Sequence, residues 1–461
     1  MQRLEVTILA AGVGSRMHSN KPKVLQTLAG VTLLEYLLRT ADSLKPEAIH
    51  LIVGHGSEMV RSAVAHRSDV NCVLQSEQLG TGHAMQQVMP FLQDTGRVLV
   101  LLGDCPLIES STLKNLCDTS ADLALLTVEM NDPFGYGRIV RDSSGKVKAI
   151  VEEKDATSAE KQIREVNTGV MVADVDLLKN WLHQLSDNNT QSEFLLTDIV
   201  EHANAGDSKV MACQTDYPLE VTGINNYVQL AELERALQKQ QAIDLMLQGV
   251  QIMDPNRLDI RGEVKVAQGV VIDINVIFEG EVELGKNVSI GPNCVIKDSI
   301  IEAGSEVRAN TLIDGAFIGA GCIVGPFARL RPGAELADSV HIGNFVEVKK
   351  SQLGKGTKAN HLAYLGDATI GAEVNVGAGA VTCNYDGVNK HQTVIGDRTF
   401  IGTNSSLVAP LNIGAGSTVG AGSTITKDVD PDSLAVSRAK QVTVSNWQKP
   451  IQVSKKTSED I

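Results

Sequence analysis

From about residue 264 onward, an apolar residue of small to medium size returns at every sixth position, a step that fits neither an α-helix nor an alternating strand. One run reads Val264, Val270, Val276, Val282, Val288, Cys294 and Ile300, shadowed two residues later by Val266, Ile272, Phe278, Leu284, Ile290 and Ile296. A second reads Ile318, Val324, Leu330, Leu336, Ile342 and Val348, and a third Ile395, Ile401, Leu407, Ile413, Val419 and Ile425. Repetition at a hexapeptide step predicts a parallel β-helix, in which three segments close a triangular coil and each short strand stacks on its equivalent one coil away. Glycine beside the anchor, as in Ile290-Gly291, Ile342-Gly343 and Val419-Gly420, eases the corner. A β-sandwich would alternate with period two instead of holding one phase for six cycles. The phase slips at Glu306 and near Leu353 and then recovers, as loops leaving a coil allow.

The first half has a different texture, apolar strands separated by amphipathic stretches, which predicts an α/β fold with a mostly parallel, Rossmann-like sheet. Strands are expected at Leu4 to Leu9, Ala48 to Val53, Val98 to Leu102 and Leu123 to Val128, and helices at Thr32 to Ser43, Ser57 to Val64, Gly82 to Met89 and Thr112 to Asp118. Tyr227 to Leu247 carries apolar residues at helical spacing with no Gly or Pro, so it reads as one long helix joining the halves, with Gly249 as its stop. The expected organisation is 1–226, a linker helix 227–248, and a β-helix 249–461 whose tail, QKPIQVSKKTSEDI, is polar.

At 461 residues the chain is too long for one core. A net charge of −14 argues against a sequence-independent nucleic-acid binder, because phosphate neutralisation needs a basic surface. Seven cysteines without C-x-x-C spacing fit a reducing compartment, the start lacks a secretory signal, and no stretch reaches the ~18 apolar residues of a membrane span. These features together predict a soluble, cytoplasmic chain with no membrane insertion.

Candidate chemistry in the first half begins at LAAGVGSRM, Leu9 to Met17, where Gly12 and Gly14 after a strand let backbone N–H groups approach a phosphate. The third glycine of the dinucleotide fingerprint is missing, since Met17 stands there, and there is no Walker sequence. Arg16 and Lys23 supply two cations near that loop. Asp104, in LGDCP, ends an apolar strand where a carboxylate can take a hard divalent cation. The loop from Gln75 to Gly82 could read a base edge through a side-chain amide.

LAAGVGSRM, NKPKVL, QSEQLGTGHA, LGDCP, GYGRIV, IVEEKDA, VNTGV and GINN occur in the order found in sugar-phosphate nucleotidyltransferases. With a hexapeptide half attached, the chain resembles the bacterial family of bifunctional N-acetylglucosamine-1-phosphate uridylyltransferase/glucosamine-1-phosphate acetyltransferases. The resemblance implies that Leu9, Ala10, Ala11 and Gly12 line the nucleotide, that Arg16 and Lys23 steady its phosphates, and that Gln75, Gly80 and Thr81 read the uracil. It further implies Gly103 and Asp104 beside the nucleotide, Mg²⁺ on Asp104 and Asn225, and the sugar on Gly137, Glu152, Asn167 and Asn225. Leu102 departs from the family, which commonly has Tyr there.

In the second half, polar residues cluster as FARLRPGAEL, VEVKKS, NHLAYLGD and VNVGAGAVTCNYDGVNKH, the last interrupting the hexapeptide count. An amine substrate bearing a phosphate needs cations for the phosphate and a near-neutral base for the ammonium proton, so histidine fits, with a carboxylate such as Glu347 to orient it. The family pattern implies His361 as base, Arg331, Lys349, Tyr364, Asn375 and Lys390 around glucosamine 1-phosphate, and Ala378, Asn384, Tyr385, Thr403, Ala421 and Arg438 around acetyl-CoA. Thr403 replaces the family's usual Ser and keeps the hydroxyl. It also implies a left-handed β-helix and a homotrimer, with UTP and N-acetylglucosamine 1-phosphate as substrates of the first half. The rival expectation is a single-activity sugar-phosphate nucleotidyltransferase whose β-helix is only a trimerisation scaffold.

Overall fold

A computed structural model describes residues 3–450; residues 451–461 of the polar tail lie outside the described residues. The chain forms two compact units, one built on residues up to 264 with the excursion 277–281, the other on 265–276 and 282 onward.

In the first unit a mixed sheet runs in the order Val210–Thr215, Leu123–Glu129, Glu165–Asp174, Arg97–Leu102, Leu4–Ala10, Ala48–Val53, Val70–Leu74. Its neighbours pair in parallel except at Glu165–Asp174, which is antiparallel to both flanking strands and also pairs with the hairpin Arg138–Arg141/Val147–Val151. Strand residues alternate between faces, so Leu99 and Leu101 enter one apolar core and Val98 and Val100 the other. Both faces are thereby covered, as a largely parallel sheet requires. The four expected strands are present within a residue of their ends, and the helices run Leu33–Ser43, Ser57–Ala63, Thr81–Val88 and Ser110–Cys117. Arg97 can open a buried strand because its guanidinium donates to the carbonyls of Cys117, Thr119 and Ala121 at 2.8, 2.9 and 2.7 Å.

The long helix spans Tyr227–Leu247 and starts where the Asn226 side chain accepts from the Gln229 N–H at 2.9 Å. It ends at Gly249, φ 95°, with Gly249 N–H donating to Met246 O and Val250 N–H to Leu245 O. This is the paired bonding of a Schellman stop, and it requires the left-handed conformation that glycine adopts freely.

The second unit is a left-handed parallel β-helix. One ladder stacks Val271–Ile272, Ser289–Ile290, Glu306–Val307, Ile323–Val324, His341–Asn344, Lys358–His361, Asn375–Val376, Phe400–Ile401 and Thr418–Val419. Register partners lie 18 residues apart at Ile272↔Ile290 and 17 at Ile290↔Val307, one coil each, but 25 at Val376↔Ile401, where the loop through Asn384 and Lys390 is inserted. The second and third hexapeptide runs point wholly inward. In the first run Val270 to Cys294 do so, whereas Ile300 is 41% exposed and its neighbours Ser299 and Ile301 turn inward instead. Ser299 turns inward three residues after Ile296, where Cys294 does so four after Ile290, so that corner is one residue shorter and the slip lies before the expected Glu306. Val264 and Val266 are half-buried in the strand Leu258–Val266. Each interior Ile or Leu contributes about 1.5–3 kcal/mol through burial, so the column supplies most of the unit's cohesion.

Candidate active sites

Two adjoining chambers open at the carboxyl ends of Leu4–Ala10 and Arg97–Leu102, where open α/β sheets hold ligands. The first, about 320 Å³, is lined by Leu9, Ala10, Ala11, Gly12, Lys23, Gln75, Gly80, Thr81, Gly103 and Asp104. The second, about 400 Å³, is lined by Arg16, Gly137, Glu152, Asn167 and Asn225, with Leu9, Thr81, Leu102 and Asp104 bordering both. Every first-half residue that the resemblance assigns to the nucleotide, the metal or the sugar therefore lines one chamber or both, whereas Gly14 lines neither.

Close backbone approach builds this cleft. Gly103 donates its N–H to Leu9 O at 2.9 Å, and a Cβ at 103 would stand 2.8 Å from that oxygen and from Val24. Gly80, at φ 110°, has no room beside the Phe194 backbone. Gln75 is only 3% exposed, and its amide nitrogen is committed to Gly80 O at 3.1 Å and to His83, so its carbonyl oxygen is the edge left for a ligand.

At the junction of the chambers, Lys23 Nζ donates to Asp104 Oδ2 at 2.6 Å and to Asn225 Oδ1 at 3.2 Å, while Arg16 Nη2 donates to the same Asn225 oxygen at 2.9 Å. Residues 202 positions apart are thus gathered around one point. The ammonium of Lys23 lies between two hard oxygens, so the pair already accommodates a cation. Two such donors suit Mg²⁺, which takes one or two protein oxygens and completes its shell with water and phosphate. Among the described residues no group of three or more His, Cys, Asp or Glu is placed to hold a metal ion.

The far wall is polar and shielded. Glu152 accepts from Thr197 Oγ1 at 3.1 Å, and burial holds its carboxyl above the usual carboxylate range. Gly137 O accepts the Asn167 N–H at 2.8 Å, and Asn167 Oδ1 accepts the Gly169 N–H at 3.1 Å. Leu102 makes an aliphatic wall opposite Gly169, φ 79°, where any Cβ would overlap its methyl. Sequence reasoning missed Thr197, Phe134, Tyr136 and Gln229. Gln229 Oε1 accepts the Asn225 N–H at 2.7 Å and so holds that residue in place; it sits in the first turn of a helix read only for its apolar spacing.

On the β-helix, Arg329, Glu347 and Tyr364 stack in register, with Lys349 on the same face. Glu347 accepts from Arg331 Nη1 at 2.9 Å and lies 3.6 Å from Arg329, which corrects the expected pairing of Glu347 with His361. His361 instead shares a hydrogen bond of 2.6 Å between its Nδ1 and Asn344 Oδ1. The reason is register: Asn344↔His361 are partners on one ladder, and Glu347 belongs to the next face. Lys390 faces Lys349, and that neighbouring ammonium pulls it below the ordinary lysine range. Two such cations with Arg331 form a seat for a dianion.

Register also links His361 to the residues expected around acetyl-CoA. Lys358, Asn375, Phe400 and Thr418 are successive partners, so His361, Ala378, Thr403 and Ala421, three residues further along each coil, form one line. At about 4.8 Å per strand that line is about 14 Å long. Arg438 Nη1 closes its far end on Ala421 O at 2.8 Å. Of the other candidates, Asn384 and Tyr385 adjoin the seat of Lys349 and Lys390, whereas Asn375 is set apart within one chain. Asn375 lies on the Lys358 ladder, away from Lys349 and Tyr364. Asn384 is buried against Asp367, and the exposed Tyr385 bridges to Lys390 within the inserted loop.

Residues 6–165 match the MobA-like NTP transferase domain, residues 260–353 the GMPPB C-terminal domain, and residues 392–427 the bacterial transferase hexapeptide (six repeats). Fold and sites define a two-part transferase, a nucleotidyltransferase carried on one chain with a hexapeptide-repeat acyltransferase. The chain is 54% identical over 452 residues to the bifunctional protein GlmU of Marinobacter nauticus, covering 98% of this chain and 99% of that one. It is 54% identical over 450 residues to that of Idiomarina loihiensis, at 97% and 98% coverage, and 53% over 452 residues to that of Acinetobacter baumannii, at 98% and 99%. The chain belongs to the bifunctional GlmU family. No helix among the described residues is long and apolar enough to cross a membrane.

Proposed function

We propose that the chain makes UDP-N-acetylglucosamine in two steps, acetyl transfer from acetyl-CoA to glucosamine 1-phosphate on the β-helix and uridylyl transfer from UTP to N-acetylglucosamine 1-phosphate in the first unit. The observation that carries the second step is the convergence of Lys23 and Arg16 on Asp104 and Asn225 where the two chambers meet. A nucleotide in the glycine-lined chamber and a sugar phosphate in the other would bring anions together at that point. The sugar-phosphate oxygen attacks the α-phosphorus of UTP, the bond to the β-phosphate bridge breaks, and pyrophosphate leaves. Charge repulsion is the main obstacle, and preorganised cations reduce it. Lys23 and Arg16 offset the triphosphate charge, Glu152 and Asn167 orient the sugar hydroxyls, and the Gln75 carbonyl oxygen accepts from the uracil. Asp104 and Asn225 would hold Mg²⁺, which supplies Lewis-acid charge neutralisation when bound.

On the β-helix, Nε2 of His361 takes a proton from the substrate ammonium, the free amine attacks the thioester carbonyl, the C–S bond breaks, and the departing coenzyme A thiolate takes up the second proton that the nitrogen gives up as it becomes an amide. Arg331, Lys349 and Lys390 seat the phosphate, and acetyl-CoA lies along the line from His361 to Arg438. Asn384 and Tyr385 flank Lys390 on the same copy, and Asn375 completes the site from a neighbouring copy, which makes the homotrimer the working unit. Acetyl-CoA and UTP as co-substrates fit a cytoplasmic enzyme. Sedimentation fractions assayed for coenzyme A thiol and for pyrophosphate should place acetyl transfer in the trimer alone; a monomer with full acetyltransferase activity would overturn the shared site.

Asn344 fixes the His361 ring by accepting at Nδ1, leaving Nε2 as the base. N344A is expected to lower kcat of acetyl transfer about 10- to 100-fold with little change in KM. N344D restores an acceptor and, by favouring the charged ring, moves the acid limb of the pH–rate profile to higher pH. A wild-type profile in both variants would contradict the role.

A further inference from the structure

Phe134 is the most exposed phenylalanine among the described residues, at 76%, yet it lines the chamber that holds Glu152 and Asn167. It stands at the tip of a turn closed by Tyr136 N–H donating to Pro133 O at 3.2 Å, with Gly135 at φ 86° in the position that demands glycine. The turn is pinned at both ends. Asp132 Oδ1 accepts the Phe134 N–H at 3.2 Å, and Tyr136 is half-buried against the core of the unit. The tip itself is tied down where Glu153 Oε2 accepts the Gly135 N–H at 3.3 Å, and Glu153 is gripped by the buried Arg138 at 2.6 Å. Consecutive residues therefore build two walls: Glu152 supplies the polar one and Glu153 holds the turn that supplies the aromatic one.

An aromatic ring kept in water costs the burial it could gain, and a rigid turn removes most of the ordering cost of binding against it. A pyranose presents hydroxyls around its edge and C–H groups on its face. With Glu152 and Asn167 positioned for the hydroxyls, an aromatic ring on the rim matches that face. We propose that Phe134 is a positioning residue for the sugar in the uridylyl-transfer chamber, packing its ring on the apolar face of the N-acetylglucosamine unit. The inference deepens the proposed function and rests on it.

The test is steady-state pyrophosphate release by the full chain with UTP, N-acetylglucosamine 1-phosphate and Mg²⁺, for wild type, F134A and F134Y. Aromatic packing of this kind predicts that F134A raises KM for the sugar phosphate about three- to tenfold, leaves KM for UTP and kcat within twofold, and that F134Y behaves as wild type. UDP-N-acetylglucosamine should bind F134A more weakly by a similar factor. An unchanged sugar-phosphate KM in F134A beside an active wild type, or an equal rise in the UTP KM, overturns the assignment of Phe134 alone. A wild-type chain that releases no pyrophosphate overturns the proposed function and this inference together.

Discussion

Replacing Asp104 by Asn is expected to lower pyrophosphate release roughly 10³-fold, equivalent to several kcal/mol of transition-state stabilisation, while acetyl transfer continues at the wild-type rate. The change keeps the shape of the side chain and removes its charge, so it acts on the electrostatics of the junction alone. Lys23 is balanced by Asp104 at 2.6 Å. Without that carboxylate the ammonium keeps only the neutral oxygens of Asn225 and the new amide, and the site loses the anionic oxygen proposed to hold Mg²⁺. Because the residue is partly buried but near the cleft, the fold should survive, and a circular dichroism spectrum like that of wild type would confirm it. Pyrophosphate release above a tenth of the wild-type rate would contradict the role given to Asp104.

The second large effect is expected at the other unit. His361→Ala should lower acetyl transfer about 10²- to 10⁴-fold, the range by which a positioned general base accelerates proton removal. Uridylyl transfer from supplied N-acetylglucosamine 1-phosphate should be untouched. His361 is exposed and its side chain bonds to Asn344, so truncation opens no cavity in the β-helix interior. The loss should be largest at neutral pH and shrink as rising pH deprotonates the amine in solution. If acetyl transfer persisted undiminished, the β-helix would be a scaffold and the single-activity reading would stand.

Much of this architecture is legible in the sequence because its periods are physical constraints. A six-residue repeat has one natural closure, and the anchors from Ile318 to Val348 and from Ile395 to Ile425 all turn inward. The slip lies ahead of Glu306 because a shortened corner leaves no compositional trace: Ile300 is as apolar as Ile301, and the number of residues in the corner decides which of them is buried. The antiparallel insertion of Glu165–Asp174 was likewise invisible, since a buried strand reads the same in either direction.

For the sites, motif order located the residues of both chambers, but pairings across coils depend on register. Glu347 was a reasonable orienter for His361 by charge and sequence distance. Two strands on adjacent faces separate them, and a neutral Asn344 one coil away takes the role. Gln229 and Phe134 were missed for different reasons. Gln229 acts through Asn225, and its position in a helix carries no motif. Phe134 sits in GYGRIV's approach, where its chemistry depends on a turn geometry that only coordinates display.

Two separable chemistries on one chain is the claim on which the rest depends, and a rescue assay tests it most directly. Wild type, D104N and H361A are each given glucosamine 1-phosphate, acetyl-CoA, UTP and Mg²⁺, and UDP-N-acetylglucosamine is quantified with and without added N-acetylglucosamine 1-phosphate. The expected result is product from wild type alone in the first condition, and full rescue of H361A but not of D104N in the second. Product from D104N on adding the intermediate, or failure of H361A to recover, would contradict the assignment.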